Sequence, residues 1–193
     1  QMTGQVTMHI ASSLFIGVTA SFPYIVWEIW RFIKPGLVTK ERKFSRGAVL
    51  SISFLFFTGV SFGYFIMSPL AVYFLSTYKL SDVIANEFDI TSYVSTIITL
   101  VFGSGLLFQL PIVVYFLTKI GMITPAFMRQ YRRHAIVIIL IIAAIVTPPD
   151  PFSQTLIAIP LYLLYEFSIF ISATVLRRQA KRDKEYEQSF KTP

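Results

Sequence analysis

The sequence predicts an all-α, polytopic bundle of transmembrane helices, and two observations indicate this fold class. Of the 193 residues, 54% are hydrophobic and only 14% are charged, whereas charged residues make up about a quarter of an ordinary soluble domain. Long uncharged stretches alternate with short basic segments, which is typical of a chain that crosses a bilayer several times. This composition argues against a soluble fold and excludes a disordered chain.

Five apolar stretches predict five visible spans within a bundle at residues 1–176. A span needs about 20 apolar residues, and the first three stretches exceed that length. The fourth holds a run of only twelve apolar residues, which fits a buried helix, a re-entrant segment or, as we prefer, a short span that thins the bilayer locally. The predicted spans are residues 10–33, 47–68, 92–118, 134–147 and 153–176, followed by a charged tail at 177–193.

The orientation follows from the distribution of the 17 basic residues. Six lie in 31–46, four in 119–133 and six in the tail, whereas Lys79 alone falls on the other side. The positive-inside rule therefore predicts a multi-pass protein of the cytoplasmic (inner) membrane whose C-terminus is cytoplasmic. The net charge of +7 does not indicate nucleic-acid binding, because the basic residues are confined to these patches.

This topology puts residue 1 outside, which is unusual for a chain without a visible signal peptide. We expect one further N-terminal span in the intact protein, giving six spans with both ends in the cytoplasm. A cleaved signal peptide with an external N-terminus is the alternative.

Proline and glycine predict the local shape of the spans. Pro23 and Pro111 lie inside apolar runs and are expected to kink them, which gives a concave bundle. Pro69 is expected to close the second span. Gly59 and Gly63 form a GxxxG motif that serves either internal packing or dimerisation, and internal packing is the more common use.

Three polar residues interrupt the apolar stretches and are candidate functional groups, because desolvating them is costly. Glu28 lies one turn from Arg31, so it is either functional or half of a local ion pair. Glu166 lies deeper, about ten residues before the basic tail, and a functional role is favoured there. The amide of Gln109, beside Pro111, either bonds to a neighbouring helix or caps carbonyls freed by the kink.

The sequence argues against an enzyme. His9 and His134 fall at opposite membrane faces in this topology, the chain has no cysteine, and no HExxH motif or phosphate-binding loop is present. We therefore expect no catalytic residues, no metal site and no cofactor.

The most specific local string is TPPDPFSQ at 147–154. Pro148 and Pro149 favour a tight external turn, and Asp150 is suited to cap the following helix. Thr147 and Gln154 would then form a small polar cluster at the external ends of two short spans.

Other strings occur with it: FP at 22–23, WRFIKPGL at 30–37, KERK at 40–43 and IPLY at 159–162. Together these strings cover nearly the whole chain and resemble the TatC family, the multi-span receptor subunit of the twin-arginine protein translocase. That family has six spans with both ends cytoplasmic, so the chain resembles its second to sixth spans.

The resemblance implies site residues around the first cytoplasmic loop. Glu41 matches a glutamate that helps to bind the arginine pair of a signal peptide, and a carboxylate can accept a guanidinium group bidentately. Phe32 and Pro35 match the motif beside this loop, and Arg42 follows the glutamate. The alternative is that Glu41 pairs within the loop with Arg42 or Lys40.

The resemblance also assigns polar positions within and beyond the membrane. Thr147 and Gln154 match positions at which the family docks a partner helix, and Asp150 matches an acid in the last external turn. Many members carry glutamate where this chain has Gln109, so a role that needs a charge there is in doubt. Glu28 stands where some members have glutamine, which suggests a relocated carboxylate as a hypothesis.

The implied function is a receptor that binds Arg-Arg signal peptides, recruits single-span TatA/TatB-like subunits and exports folded proteins using the proton-motive force. We expect its partners to be these peptides, these subunits, the lipid bilayer and further copies of itself. The alternative is a small-solute secondary transporter or channel, which an inverted repeat or a water-filled path past Glu166 and Gln109 would favour.

Overall fold

Helices make up nearly all of the part of the chain that a computed structural model describes, which is residues 2–33, 45–77, 89–146 and 151–191. No strand occurs in these ranges, so the predicted all-α class is confirmed. The helices are α1 (Met2–Ile33), α2 (Ser45–Phe62), a π-helical segment (Gly63–Met67), α3 (Ser68–Thr77), α4 (Ile90–Leu107), α5 (Leu110–Lys119), α6 (Pro125–Gln130), α7 (Arg132–Val146) and α8 (Pro151–Lys191).

Four helical stretches are long and apolar enough to cross a membrane: Gly4–Phe32, Val49–Thr77, Ile90–Lys119 and Gln154–Lys181. The helix α7 has 15 residues, or about 22 Å of length, whereas the hydrocarbon core is about 30 Å thick. The fifth, short span at 134–147 therefore stays a prediction. The helix α8 continues without a break from the membrane segment into the charged tail and ends at Lys191.

The helix of the second span continues past Pro69, so the expectation that this residue closes it is wrong. A proline removes one backbone donor and clashes with the carbonyl of the fourth residue before it. The π segment widens the turn just before Pro69: the backbone N–H of Ser68 donates to the carbonyl of Gly63, five residues earlier. The Ser68 hydroxyl donates to the same carbonyl at 2.8 Å. The wide turn accommodates the proline, and the helix runs on to Thr77.

The interruption expected at Pro111 is confirmed. The helix α4 ends at Leu107 and α5 begins at Leu110, with Pro111 in the first turn of α5, where a missing N–H costs little. By contrast, α1 runs through Pro23 as one continuous helix. The third apolar stretch is thus two helices joined at Gln109.

Glycines let α2 and the π segment pack directly against α4. A Cβ atom added at Gly59 would lie 2.6 Å from the carbonyl oxygen of Ser104, and one added at Gly63 would lie 2.8 Å from the Cα of Val101. Only a residue without a side chain permits this approach of two backbones. The internal-packing interpretation of the GxxxG motif is therefore the one that the structure supports.

The helix α8 contributes residues to two hydrophobic clusters of the core. Near its N-terminus, Ile157 and Leu161 join a cluster with residues of α3, α4, α7 and the π segment. Further along the helix, Ile169 joins a second cluster with Val114 of α5 and Met128 of α6. This shared packing fixes α5, α6 and α7 around one central helix and so positions the polar side chains described next.

Candidate functional site

The C-terminal end of α1 immediately precedes the segment in which the arginine-pair site is predicted. Glu41, Pro35 and Arg42 lie outside the described residues. Phe32, in the last turn of α1, is 87% exposed. The ring of Trp30 packs on that of Phe116 in α5, with centroids 5.1 Å apart. The end of α1 is therefore anchored on α5 and presents an aromatic ring beside the loop.

Glu28 forms a local ion pair. Its Oε1 lies 3.6 Å from Nη1 of Arg31, one turn along the same helix, and both side chains are substantially exposed. This is the local pair that the spacing allowed, and it accounts for the carboxylate without any ligand.

Gln109 links two helices at the break before α5. Its Nε2 donates to the carbonyl oxygen of Ile52 in α2 at 3.2 Å, and more weakly to that of Gly105 at 3.4 Å. The amide thus bonds to a neighbouring helix, as the first alternative predicts. It also bonds to a carbonyl of α4 just before the break, close to what the second alternative predicts. An ionised carboxylate only accepts hydrogen bonds, so it could not make these contacts. Gln109 suits this position as a donor.

Glu166, in the N-terminal half of α8, is held by two side chains. Its Oε2 lies 2.7 Å from Nη2 of Arg132, the first residue of α7. The hydroxyl of Tyr162, one turn earlier in α8, donates to Oε1 at 3.1 Å. The carboxylate is 31% exposed and the guanidinium 45%, so solvent only partly screens this charged junction between α7 and α8.

The sequence did not identify Arg132 and Tyr162 as partners of Glu166. Tyr162 stands four residues before Glu166, on the same helix face, and that spacing could have indicated it. Arg132 lies 34 residues away, so only the tertiary fold reveals the pair. A similar long-range contact joins the hydroxyl of Tyr165 to the backbone carbonyl of Met128 in α6 at 2.8 Å.

Gln154, in the first turn of α8, ties that end of α8 to the middle of α7, since its Nε2 donates to the carbonyl of Leu140 at 3.0 Å. Thr147, Pro148, Pro149 and Asp150 lie outside the described residues, so their predicted turn and polar cluster stay predictions. No group of three or more His, Asp or Glu side chains suited to a metal ion occurs among the residues that the structure describes.

Three of the predicted polar residues thus make separate contacts between helices. Gln109 bonds to α2, Glu166 bonds to the first residue of α7, and Gln154 bonds to the middle of α7. Each contact fixes one helix against another by hydrogen bonding or charge pairing.

Comparisons with known proteins agree on one family. The family described as "Sec-independent protein translocase protein (TatC)" matches residues 1–160. A TatC protein of Blattabacterium sp. subsp. Periplaneta americana is 44% identical over 93% of this chain and 67% of its own length. A TatC protein of Helicobacter pylori J99 is 38% identical over 96% of this chain and 74% of its own length.

Solved structures show the same likeness. Two crystal structures described as the twin-arginine translocase receptor TatC superpose with TM-scores of 0.76 and 0.77, at 39% and 38% identity. They cover 86% and 89% of this chain, and the chain covers 74% and 75% of theirs. On the family match, the relatives and the shared fold, this chain belongs to the TatC family of Sec-independent protein translocase proteins.

Proposed function

We propose that this protein is the receptor at the core of a twin-arginine translocase in the cytoplasmic membrane. It binds the Arg-Arg signal peptides of folded cargo on the cytoplasmic side and recruits single-span TatA/TatB-like subunits for export driven by the proton-motive force. The likeness to solved structures described as a twin-arginine translocase receptor carries this proposal. The comparisons lend no support to a solute transporter or channel.

The arginine pair docks, in this proposal, on the loop that follows α1. Glu41 supplies the carboxylate, which can accept a guanidinium group bidentately and so distinguishes arginine from lysine. Phe32 supports this assignment, because its exposed ring at the end of α1 is available to pack against a peptide. The contact of the Trp30 ring with that of Phe116 anchors the end of α1, from which the loop follows, on α5.

A single-span partner docks along the outer part of α7 and α8, beside Thr147 and Gln154. The described part of α7 supports this site: Val137, Ile141 and Ile145 recur every fourth residue on one helix face, and all three are exposed. Such a stripe fits the apolar face of another membrane helix. Gln154 stabilises the edge by holding the outer end of α8 against α7.

Photo-crosslinking tests the arginine-pair site in the full-length protein. A probe placed beside Glu41 is challenged with signal peptides that carry Arg-Arg or Lys-Lys, with and without Glu41→Gln. We expect an Arg-Arg-dependent crosslink that Glu41→Gln reduces about tenfold, since a charge-assisted hydrogen bond is worth about 1.5–3 kcal/mol. Glu28→Gln is the matched control and should leave the crosslink unchanged, because Glu28 is paired locally. Equal crosslinking by Lys-Lys, unaffected by Glu41→Gln, would contradict the proposal.

A further inference from the structure

An apolar groove lies between α5 and the inner half of α8, away from the polar contacts described above. Its volume is about 260 Å³, and Tyr115, Phe167, Phe170, Ile171 and Val175 supply most of its walls. Phe167 and Phe170 are both exposed at its mouth. For comparison, a dry cavity of about 150 Å³ admits benzene. The groove therefore has room for a stretch of hydrocarbon chain rather than for a second helix, whose diameter is about 10 Å.

The groove is preformed, because α5 and α8 are joined beneath it. The hydroxyls of Thr118 and Ser172 are hydrogen-bonded at 2.8 Å, and both residues are fully buried. At the inner end, Nε2 of Gln179 donates to the backbone carbonyl of Lys119 at 3.1 Å. Two cross-helix bonds at successive levels fix the separation of the helices.

Both charged residues that line the groove are basic, and both lie at its inner end. Lys119 is the last residue of α5, and Arg178 stands beside Gln179 on α8. In α8 the last apolar run ends at Leu176, just before Arg177 and Arg178. Both bases of the groove therefore stand where an apolar helix gives way to charged residues, which is the level at which lipid headgroups meet the hydrocarbon core, and the apolar walls extend into the bilayer from there.

The groove thus has apolar walls along most of its length and two basic side chains at one end, which suits an amphipathic, anionic ligand. A phospholipid with an anionic headgroup has an acyl chain for the groove and a phosphate for the bases, and basic pockets between membrane helices bind such headgroups. We propose that the groove between α5 and α8 is a binding site for an anionic phospholipid of the cytoplasmic leaflet. The phosphate lies between Lys119 and Arg178, and one acyl chain lies along Tyr115, Phe170 and Val175.

Native mass spectrometry of the full-length protein in detergent, titrated with phosphatidylglycerol or phosphatidylcholine, tests this site. We expect phosphatidylglycerol to bind preferentially, and Arg178→Gln and Lys119→Gln each to weaken its binding roughly fivefold, as expected for the loss of one interfacial base. Arg177→Gln is the matched control, since it removes the same charge one position away from a residue that lines the groove. It should change binding much less.

A second variant separates the chain site from general surface charge. Thr174→Trp fills the groove while it keeps both bases, so it should also weaken phosphatidylglycerol binding. Equal binding of the two lipids, or equal losses from Arg177→Gln and Arg178→Gln, would overturn the proposal. So would a probe at Thr174 that crosslinks to a single-span protein in membranes instead of to lipid. These outcomes do not depend on signal-peptide binding, so the lipid site can be disproved while the proposed receptor function stands.

Discussion

The charged residues in the helices differ in how much the fold depends on them. Glu28 and Arg31 are close because they share a helix turn, and their 3.6 Å contact is exposed. Glu166 and Arg132 come from different helices, meet at 2.7 Å and are less exposed. Exposed pairs contribute about 0–1 kcal/mol, whereas a partly buried charge that loses its partner keeps a larger desolvation cost. The second pair should therefore hold α7 against α8.

A double-mutant cycle with Glu166→Gln and Arg132→Gln measures this contribution. We expect each single variant to be destabilised and the double variant to lose less than the sum of the two, with a coupling of about 1 kcal/mol. Denaturant unfolding of the protein in detergent micelles, followed by circular dichroism, reports the free energy. The cycle with Glu28→Gln and Arg31→Gln is the matched control and should give a coupling close to zero. Strictly additive effects at Glu166 and Arg132 would mean that the pair contributes nothing to stability.

At the scale of the helices, α2 and the π segment pack on α4 with backbone close to backbone. The backbones meet at Gly59 and Gly63, where a methyl group would collide with backbone atoms that cannot rotate away. Gly17 of α1 has nothing within 4 Å of the same methyl position. Comparing alanine substitutions in these two environments therefore separates the steric cost of a side chain from the intrinsic helix preference of alanine.

We therefore expect Gly59→Ala and Gly63→Ala each to destabilise the protein by about 1–3 kcal/mol, the usual cost of overpacking. Gly17→Ala should be neutral or slightly stabilising, because alanine is the better helix former. Thermal unfolding in detergent compares the three variants under one condition. Equal effects at Gly17 and Gly59 would show that helix propensity, rather than packing on α4, decides the outcome.

The spacing of residues in the sequence predicts contacts between neighbours along one helix. It does not predict contacts that depend on how a second helix packs. The Glu28–Arg31 pair and the break at Pro111 follow from spacings of a few residues, and both are observed. The prediction that Pro69 closes the second span is wrong because the π-helical turn before it, five residues long, accommodates the proline. The pairing of Arg132 with Glu166 spans 34 residues and needs the packing of α7 on α8, which no local pattern encodes.

At the scale of the whole molecule, the charge distribution predicts the orientation. All but one of the basic residues gather at 31–46, at 119–133 and from 177 onward. The positive-inside rule predicts that all three segments lie in the cytoplasm. That prediction requires α7 to cross the bilayer despite its 15 residues, because α8 would have to begin outside to return to a cytoplasmic tail. Thinning of the bilayer around α7 would accommodate the mismatch at modest cost.

Because the chain has no cysteine, single cysteines can report this topology without a background. In right-side-out vesicles, a membrane-impermeant maleimide should label Ile90→Cys and Pro151→Cys directly, but Met122→Cys and Lys184→Cys only after permeabilisation. The cysteine-free parent should stay unlabelled throughout. Labelling of Pro151→Cys only together with Met122→Cys would show that α7 enters and leaves on the same side. In that case α7 is a re-entrant helix, and the docking edge beside Gln154 would face the cytoplasm.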